Sequence, residues 1–232
     1  MNAGAAFIET RALSRRYDAG TTRAHDALVD VTLTIQRGAF AVVTGPSGGG
    51  KTTLLSLVGA LDRATSGQVI FDGTDLGAIS EAERTRARRR IGFVFQGSPM
   101  LRGLAAWENV TYPLIPLGVS ARARRARAEE LLTRVGLARM LDSPPETASG
   151  GELQRIGIAR ALVGSPDLVL ADEPTSSLDR RSADAVTKLL QEIHASGTTV
   201  LVATHDPHLV GLATVKFELD DGKLVSRSAK LG

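Results

Sequence analysis

The sequence predicts an α/β fold with a mixed, mainly parallel sheet, and three observations carry that prediction. An apolar run at 40–43 leads directly into Gly45-Pro46-Ser47-Gly48-Gly49-Gly50-Lys51-Thr52, and a helical run follows at 53–61. Strand, glycine-rich turn and helix therefore come in succession. Farther along, 167–171, 183–193 and 198–203 alternate strand, helix and strand, the pattern that favours parallel pairing. Between these regions, 105–141 carries Ala, Leu and Arg at helical spacing with breaks at Pro113, Pro116 and Gly118, which marks a helical insert.

In chain order, 7–13 reads as a strand and 27–35 as a second one with alternating Val31, Leu33 and Ile35. After the helical run, 68–71 is a strand closed by Asp72-Gly73, and 91–95 is another. Residues 81–90 place acids first and bases last, as a solvated helix complementing its dipole does. A further helix is predicted from about Glu152 to Leu162. The tail, 215–219 and 223–226 around Asp220-Asp221-Gly222, reads as a closing hairpin. The core thus draws on both ends of the chain, with no internal repeat or low-complexity linker.

At 232 residues, the chain is long enough for one substantial core and a smaller helical lobe. Its 43% hydrophobic share is globular, and no apolar run approaches the roughly 18 residues of a membrane span. The chain is expected not to cross a membrane. The stretch 3–8 has no basic region before it, so a secretory signal is not expected and a cytoplasmic location is. Absence of cysteine excludes disulfides and cysteine-bound zinc or iron–sulfur sites. The net charge of +3 has its excess in 84–90 and 122–127. In the second run, arginines alternate with alanines before Glu129-Glu130, and no aromatic is interleaved for base stacking. Both runs read as solvated helix surface, with anionic lipid headgroups as the functional alternative. No specific nucleic-acid partner is expected.

Five places carry chemistry. In the glycine-rich loop, backbone N–H groups can wrap phosphate oxygens, Lys51 can reach the outer phosphates and the Thr52 hydroxyl can ligate magnesium. Gly49 is expected to contribute mainly its amide. The apolar strand 168–171 ends in Asp172-Glu173, where one acid can hold a metal and its neighbour can polarise a water. Two more strands end in polar groups, Gln96 after 91–95 and His205 after 200–204, whereas His25, His194 and His208 read as structural. Finally, Ser149-Gly150-Gly151-Glu152 presents small side chains and free amides at a helix start, which suits an anion.

These motifs, in this order, resemble those of ABC ATPases over nearly the whole chain. The resemblance implies a P-loop NTPase core with an antiparallel β subdomain and an α-helical signature subdomain, all in one domain over 7–226. Residues 7–96 and 156–226 would form the nucleotide-binding core with its β subdomain, and 97–155 the helical subdomain. It implies ATP and Mg²⁺ as cofactors, with Glu173, His205, Gln96 and Lys51 catalytic and with Thr52, Gln96 and Asp172 at the metal. Gly45, Pro46, Ser47, Gly48, Gly49, Gly50, Lys51, Thr52 and Thr53 would hold the phosphates. Tyr17 resembles the aromatic that stacks on adenine, against the reading of a surface tyrosine. Asp179 matches the D-loop, although by itself it also suits a helix N-cap.

Ser149, Gly150, Gly151 and Glu152 match the signature motif, which in the family faces the other chain's ATP, so a homodimer is implied. Ala148 stands where leucine is usual and Glu152 where glutamine is. Residues 61–67, 89–96, Glu108-Asn109-Val110 and 170–175 look closest to the lipoprotein-release, macrolide-exporter and cell-division ATPases. Those relatives work with separate integral membrane permease subunits at the inner face of the cell membrane. The implied function is ATP hydrolysis that powers export or extraction of a lipophilic or peptide-like substrate. A division-type regulator and a soluble ABC ATPase acting on nucleic acid are the alternatives. Pro99-Met100-Leu101-Arg102-Gly103 departs from the family wording beside the permease groove, which points to an unusual membrane partner.

Overall fold

The structure, a computed structural model, describes residues 6–18, 20 and 24–229; residues 3–5 of the amino-terminal 3–8 stretch lie outside it. The chain runs through β1 (Ala6–Tyr17), β2 (His25–Gln36), β3 (Phe40–Thr44), α1 (Lys51–Val58), β4 (Ser66–Phe71), β5 (Thr74–Asp75), α2 (Glu81–Arg88) and β6 (Ile91–Val94). There follow α3 (Ala106–Thr111), a 3-10 turn (Tyr112–Leu117), α4 (Ala121–Arg134), α5 (Gly150–Ala161) and β7 (Leu168–Asp172). Then come α6 (Arg180–Ala195), β8 (Thr199–Ala203), α7 (Pro207–Leu212) and the hairpin β9 (Val215–Asp220) and β10 (Lys223–Ala229).

Two sheets result. The six-stranded sheet has the order β10-β9-β3-β8-β7-β6, and all its pairings are parallel except the β9–β10 hairpin. The other, in the order β2-β1-β4-β5, is antiparallel throughout. Every residue of β7 and β8 is buried, which explains why these segments read as unbroken apolar runs. Successive side chains alternate between two cores. Phe40, Val42, Val169, Ala171, Val200 and Val202 face the helical side. Ala41, Val43, Leu168, Leu170, Leu201 and Ala203 face α1 and the antiparallel sheet.

Several boundaries differ from expectation, each for a local reason. Helix α1 begins at Lys51, because Gly50 at its N-cap takes φ 95°, and ends at Val58, leaving Leu61 exposed in the turn beyond. Helix α5 begins at Gly150, capped by Ser149. Pro116 sits inside the 3-10 turn, and Gly118 with φ 73° closes it. Among the described residues, no helix is long and apolar enough to cross a membrane.

The basic runs are solvated only in part. The α2 run has the acid-first arrangement and a Ser80–Glu83 capping box, yet Arg84 is 4% exposed. Its guanidinium donates to the carbonyls of Leu76, Ala60 and Asp62 and so ties α2 to the turn after α1. Near α4, Trp107 supplies the aromatic that the local sequence lacks, with the Arg124 and Arg125 guanidinium carbons 5.4 and 5.7 Å from its ring centre. Arg125 and Arg127 are also paired, with Asp142 and Glu130.

Helix α5 presses on β6 at Gly92, where a Cβ would stand 2.3 Å from the Ala161 carbonyl oxygen. Because backbone must move, Gly92→Ala should cost about 1–3 kcal/mol, the usual range for overpacking. A thermal melt in which this variant matches the parent would contradict the close packing of α5 on β6.

Candidate active site

Parallel register brings four strand ends to one edge. Val43 and Asp172 both pair with Ala203, and Val94 pairs with Ala171, so the residues after β3, β6, β7 and β8 meet. Gly45, Pro46, Ser47, Gly48, Lys51, Thr52, Gln96, Asp172, Glu173, Ser176 and His205 line one depression of about 490 Å³. Gly45 has φ 143° and a Cβ there would stand 1.9 Å from the Leu219 carbonyl oxygen; only glycine lets the loop leave β3 in this direction.

The Lys51 ammonium donates to the carbonyls of Gly45 and Pro46 at 2.8 and 2.9 Å. The lysine at the start of α1 thereby closes the loop on itself. The Gly49 amide, expected to face the phosphates with its neighbours, instead donates to the Pro46 carbonyl at 3.1 Å. Thr52 donates its hydroxyl proton to Asp172 Oδ2 at 2.8 Å. Asp172 is 6% exposed, and its Oδ1 is buried without a hydrogen-bond partner. An orphaned carboxylate oxygen beside a hydroxyl is a hard-oxygen donor set that fits magnesium held by one carboxylate and by substrate phosphates. Among the described residues no group of three or more His, Cys, Asp or Glu is placed to hold a metal ion by itself, so the residues do not form an all-protein cage.

Glu173 has φ 44°, a left-handed conformation that costs a non-glycine residue about 1–3 kcal/mol and turns its side chain away from that of Asp172. His205 Nδ1 lies 3.1 Å from both carboxylate oxygens. The hydrogen bond runs to Oε1, and Oε2 is buried without a hydrogen-bond partner. The imidazole is exposed while the carboxylate is largely covered. Gln96 lies at the same edge, but its amide donates to Ser176 Oγ at 3.4 Å, and Ser176 donates to the Glu173 carbonyl.

The remaining expected residues lie elsewhere. Ser149, Gly150, Gly151 and Glu152 do not line the depression; they begin α5, where Ser149 and Glu152 form a capping box and Glu152 Oε1 accepts from Arg139. Asp179 is the N-cap of α6, accepting from the Ser182 amide. Thr53, half-buried in α1, and Tyr17, at the end of β1, are also outside the lining.

Three participants received no role in the sequence reading. Ser176 bridges Gln96 to Glu173. Thr175 donates to Asp206 Oδ2 at 2.8 Å, tying the segment after β7 to the N-cap of α7 next to His205. Ser98 donates to Gln154 Oε1 at 2.9 Å, fastening the loop after Gln96 to α5. The hydroxyl residues in Thr175-Ser176-Ser177 were the available signal.

Burial pushes the Asp172 carboxyl above the usual carboxylate range; Glu173 adds to this, and Thr52 and Lys51 oppose it. A carboxyl raised on folding stabilises the fold fully only below its ordinary pKa, and that contribution is lost as pH rises through the raised value. Ionised Asp172 therefore costs stability near neutrality. Asp172→Asn should raise the melting temperature of the nucleotide-free, magnesium-free protein by a few degrees at about pH 7, with the gain shrinking toward about pH 4. An unchanged or lower melting temperature at neutral pH would contradict this account.

A family model described as "ABC transporter" matches residues 28–176. The macrolide export ATP-binding/permease protein MacB of Bradyrhizobium diazoefficiens is 45% identical over 215 residues, 92% of this chain and 33% of that protein. MacB of a Shewanella species is 40% identical over 227 residues, 97% and 35% respectively. The chain thus spans about a third of the length of these relatives. The solved dimer of the ATP-binding cassette MJ0796 in a post-hydrolysis state with ADP and Pi superposes with a TM-score of 0.89 at 36% identity, covering 97% of this chain and 99% of that one. The cbiO1 structure from Clostridium perfringens, part of the cbiONQ ABC transporter complex, gives 0.83 at 27% identity, covering 97% and 88%. With the family match extending over more than half of its residues and its fold shared with solved ATP-binding cassettes, the chain belongs to the ABC transporter family.

Proposed function

We propose that the chain hydrolyses ATP as a homodimer and uses the cycle to drive an integral membrane permease from the cytoplasmic face. One observation carries this reading: a buried, half-satisfied Asp172 beside Thr52, with Glu173, His205 and Lys51 lining the same depression. Lys51 and the amides of Ser47, Gly48, Gly50, Lys51 and Thr52 hold the phosphates, with Gly45, Pro46 and Gly49 shaping the loop and Thr53 next to it on α1, and Tyr17 carries the base. Thr52, Asp172 and Gln96 hold magnesium, which when bound offsets phosphate charge. Glu173 accepts a proton from the attacking water, and His205, already hydrogen-bonded to that carboxylate, orients it and contacts the γ-phosphate.

The signature residues Ser149, Gly150, Gly151 and Glu152 belong to a second nucleotide. They start a helix whose exposed amides suit an anion, and they do not line the depression of their own chain. Asp179, at the start of α6, lies on the same side, since a Cβ on Gly151 would reach Ser182 Oγ at 2.4 Å. We take 7–96 and 156–226 as the nucleotide core and 97–155 as the helical lobe.

A partner surface supports the coupling to a membrane protein. An apolar groove of about 250 Å³ between β6 and α5 is lined by Leu61, Phe93, Phe95, Tyr112 and Leu117, with Arg160 at its wall. Leu61, Phe95, Tyr112 and Leu117 are exposed, an apolar patch that fits a helix from another protein. Gly97, Ser98, Pro99, Met100 and Arg102 do not line this groove but a separate hollow with Pro145, Glu146 and Leu153. By likeness to relatives named for macrolide export, the cargo is a lipophilic or peptide-like molecule moved outward or extracted.

Glu173→Gln should retain ATP and lower turnover by ~10²- to 10⁴-fold, the span of general-base assistance. ATPase rate should rise more steeply than linearly with protein concentration at high dilution, and Ser149→Arg should abolish turnover while monomers still bind ATP. A fully active monomer with a strictly linear rate would overturn the shared-site reading.

A further inference from the structure

Tyr17 is held from two sides by residues outside the phosphate-binding and signature motifs. Its hydroxyl donates to Asp62 Oδ2 at 2.8 Å, and Arg15 Nε donates to the same oxygen at 2.9 Å. The Arg15 guanidinium carbon lies 4.4 Å from the centre of the tyrosine ring, a cation–π contact over one face. The other carboxylate oxygen of Asp62 accepts from the Arg63 amide at 2.7 Å. Arg15 and Asp62 are three-quarters buried, at 23% and 25% side-chain exposure, so the pair is more ordered than a surface contact. His25, paired with Tyr17 across the strands, stands with its ring centre 5.5 Å away.

We infer that Asp62 and Arg15 are positioning residues that fix the Tyr17 ring as a rigid platform for the adenine base. The inference rests on the reading of Tyr17 as the adenine-stacking residue and deepens it. Stacking requires a ring plane held at one angle, and an unrestrained tyrosine at a strand end samples several rotamers. Asp62 removes that freedom by anchoring the hydroxyl, and Arg15 covers one face, so the inference assigns the base to the opposite face.

The anchor also sets a spacing. Asp62 lies four residues beyond the end of α1, whose first residue is Lys51. Arg84 donates to the carbonyls of Ala60 and Asp62 and pins the intervening turn. An eight-residue helix is about 12 Å long. One rigid element thereby joins the phosphate loop at its start to the base platform at its end. The ligand this arrangement selects is a nucleoside triphosphate whose base and phosphates span that fixed separation.

The test compares binding of Mg-ATP with binding of magnesium tripolyphosphate, which has the phosphates and no base, in six proteins. These are the parent, Tyr17→Ala, Asp62→Asn, Asp62→Glu, Tyr17→Phe, which keeps the ring and loses the anchor, and the Tyr17→Phe/Asp62→Asn double variant. Stacking of a base on an aromatic ring is worth a factor of about 5 to 150 in affinity. Tyr17→Ala should lose that factor for ATP. Asp62→Asn and Tyr17→Phe should each lose a substantial part of it, with the ATP-to-tripolyphosphate affinity ratio falling. The Tyr17→Phe/Asp62→Asn double variant should weaken ATP by less than the product of the two single effects, because both act on the Tyr17–Asp62 contact. Asp62→Glu should restore part of the ratio.

If Tyr17→Ala weakens ATP while Tyr17→Phe and folded Asp62→Asn bind it as the parent does, the positioning role is overturned and the stacking role stands. If Tyr17→Ala leaves ATP affinity unchanged, the adenine reading falls and the inference with it. Equal weakening of both ligands by Asp62→Asn would mark Asp62 as structural only and overturn the inference. Tyr17→Phe keeps the test decisive should Asp62→Asn fail to fold.

Discussion

The parallel register of β3, β8, β7 and β6 is the constraint on which the rest of the molecule depends. Residues as distant in sequence as Gly45, Gln96, Asp172 and His205 lie together because Val43 and Asp172 both pair with Ala203 and Val94 with Ala171. Parallel strands all point the same way, so their carboxyl ends share an edge, where ligands of open α/β sheets bind. A slip of one residue in any strand would reverse which side chains face each core. Phe40, Val42, Val200 and Val202 on one side and Ala41, Val43, Leu201 and Ala203 on the other leave no such freedom.

That rigid sheet also holds the edge in conformations which are unfavourable by themselves. Glu173 and Ser98 adopt positive φ at 44° and 39°, and burial pushes the Asp172 carboxyl above its usual range. Each costs stability, and each lies where a strand gives way to a loop. Neighbours restrain them: the Glu173 amide donates to the Ala203 carbonyl, while Ser98 is held by Gln154. Local strain of this kind persists because the surrounding structure over-determines it. Two side-chain contacts extend the restraint, Thr175 to Asp206 and Gln96 to Ser176. Through them, the loops after β6, β7 and β8 form one hydrogen-bonded unit, so movement of one bears on the others.

Much of this was legible in the sequence, for identifiable reasons. Buried strands write themselves as continuous apolar runs, the phosphate loop has fixed glycine spacing, and Asp172-Glu173, Gln96 and His205 each follow such a run. The closing hairpin came from Asp221-Gly222 between alternating segments. What stayed hidden were contacts between side chains far apart in sequence. Arg84 reads as one more cation in a basic helix, and only the carbonyls of Leu76, Ala60 and Asp62 make it a buried cross-link. Trp107 reaches the α4 arginines because α3 folds against that helix, which periodicity within α4 does not record. The bond from the Gly49 amide to Pro46 was equally hidden, because motif spacing fixes where glycines lie and not which partner each amide takes.

Glu152 illustrates how a motif departure is absorbed by its surroundings. In place of glutamine it brings a full negative charge to the first turn of α5, on the surface proposed to face phosphate. Its Oε2 accepts from the Ser149 amide and hydroxyl at 2.9 Å each, and its Oε1 accepts from Arg139. The first bonds, the leading cause, and the arginine hold the carboxyl below its usual range, so the charge is present at neutral pH. A carboxylate in the first turn favours the helix through its dipole but repels an approaching phosphate. Arg139 offsets that repulsion from within the same lobe, although its exposed position makes the pair salt-sensitive and individually weak. The capping geometry of Ser149 is thus kept by the acid, and the electrostatic penalty of the acid is reduced by a residue thirteen positions upstream.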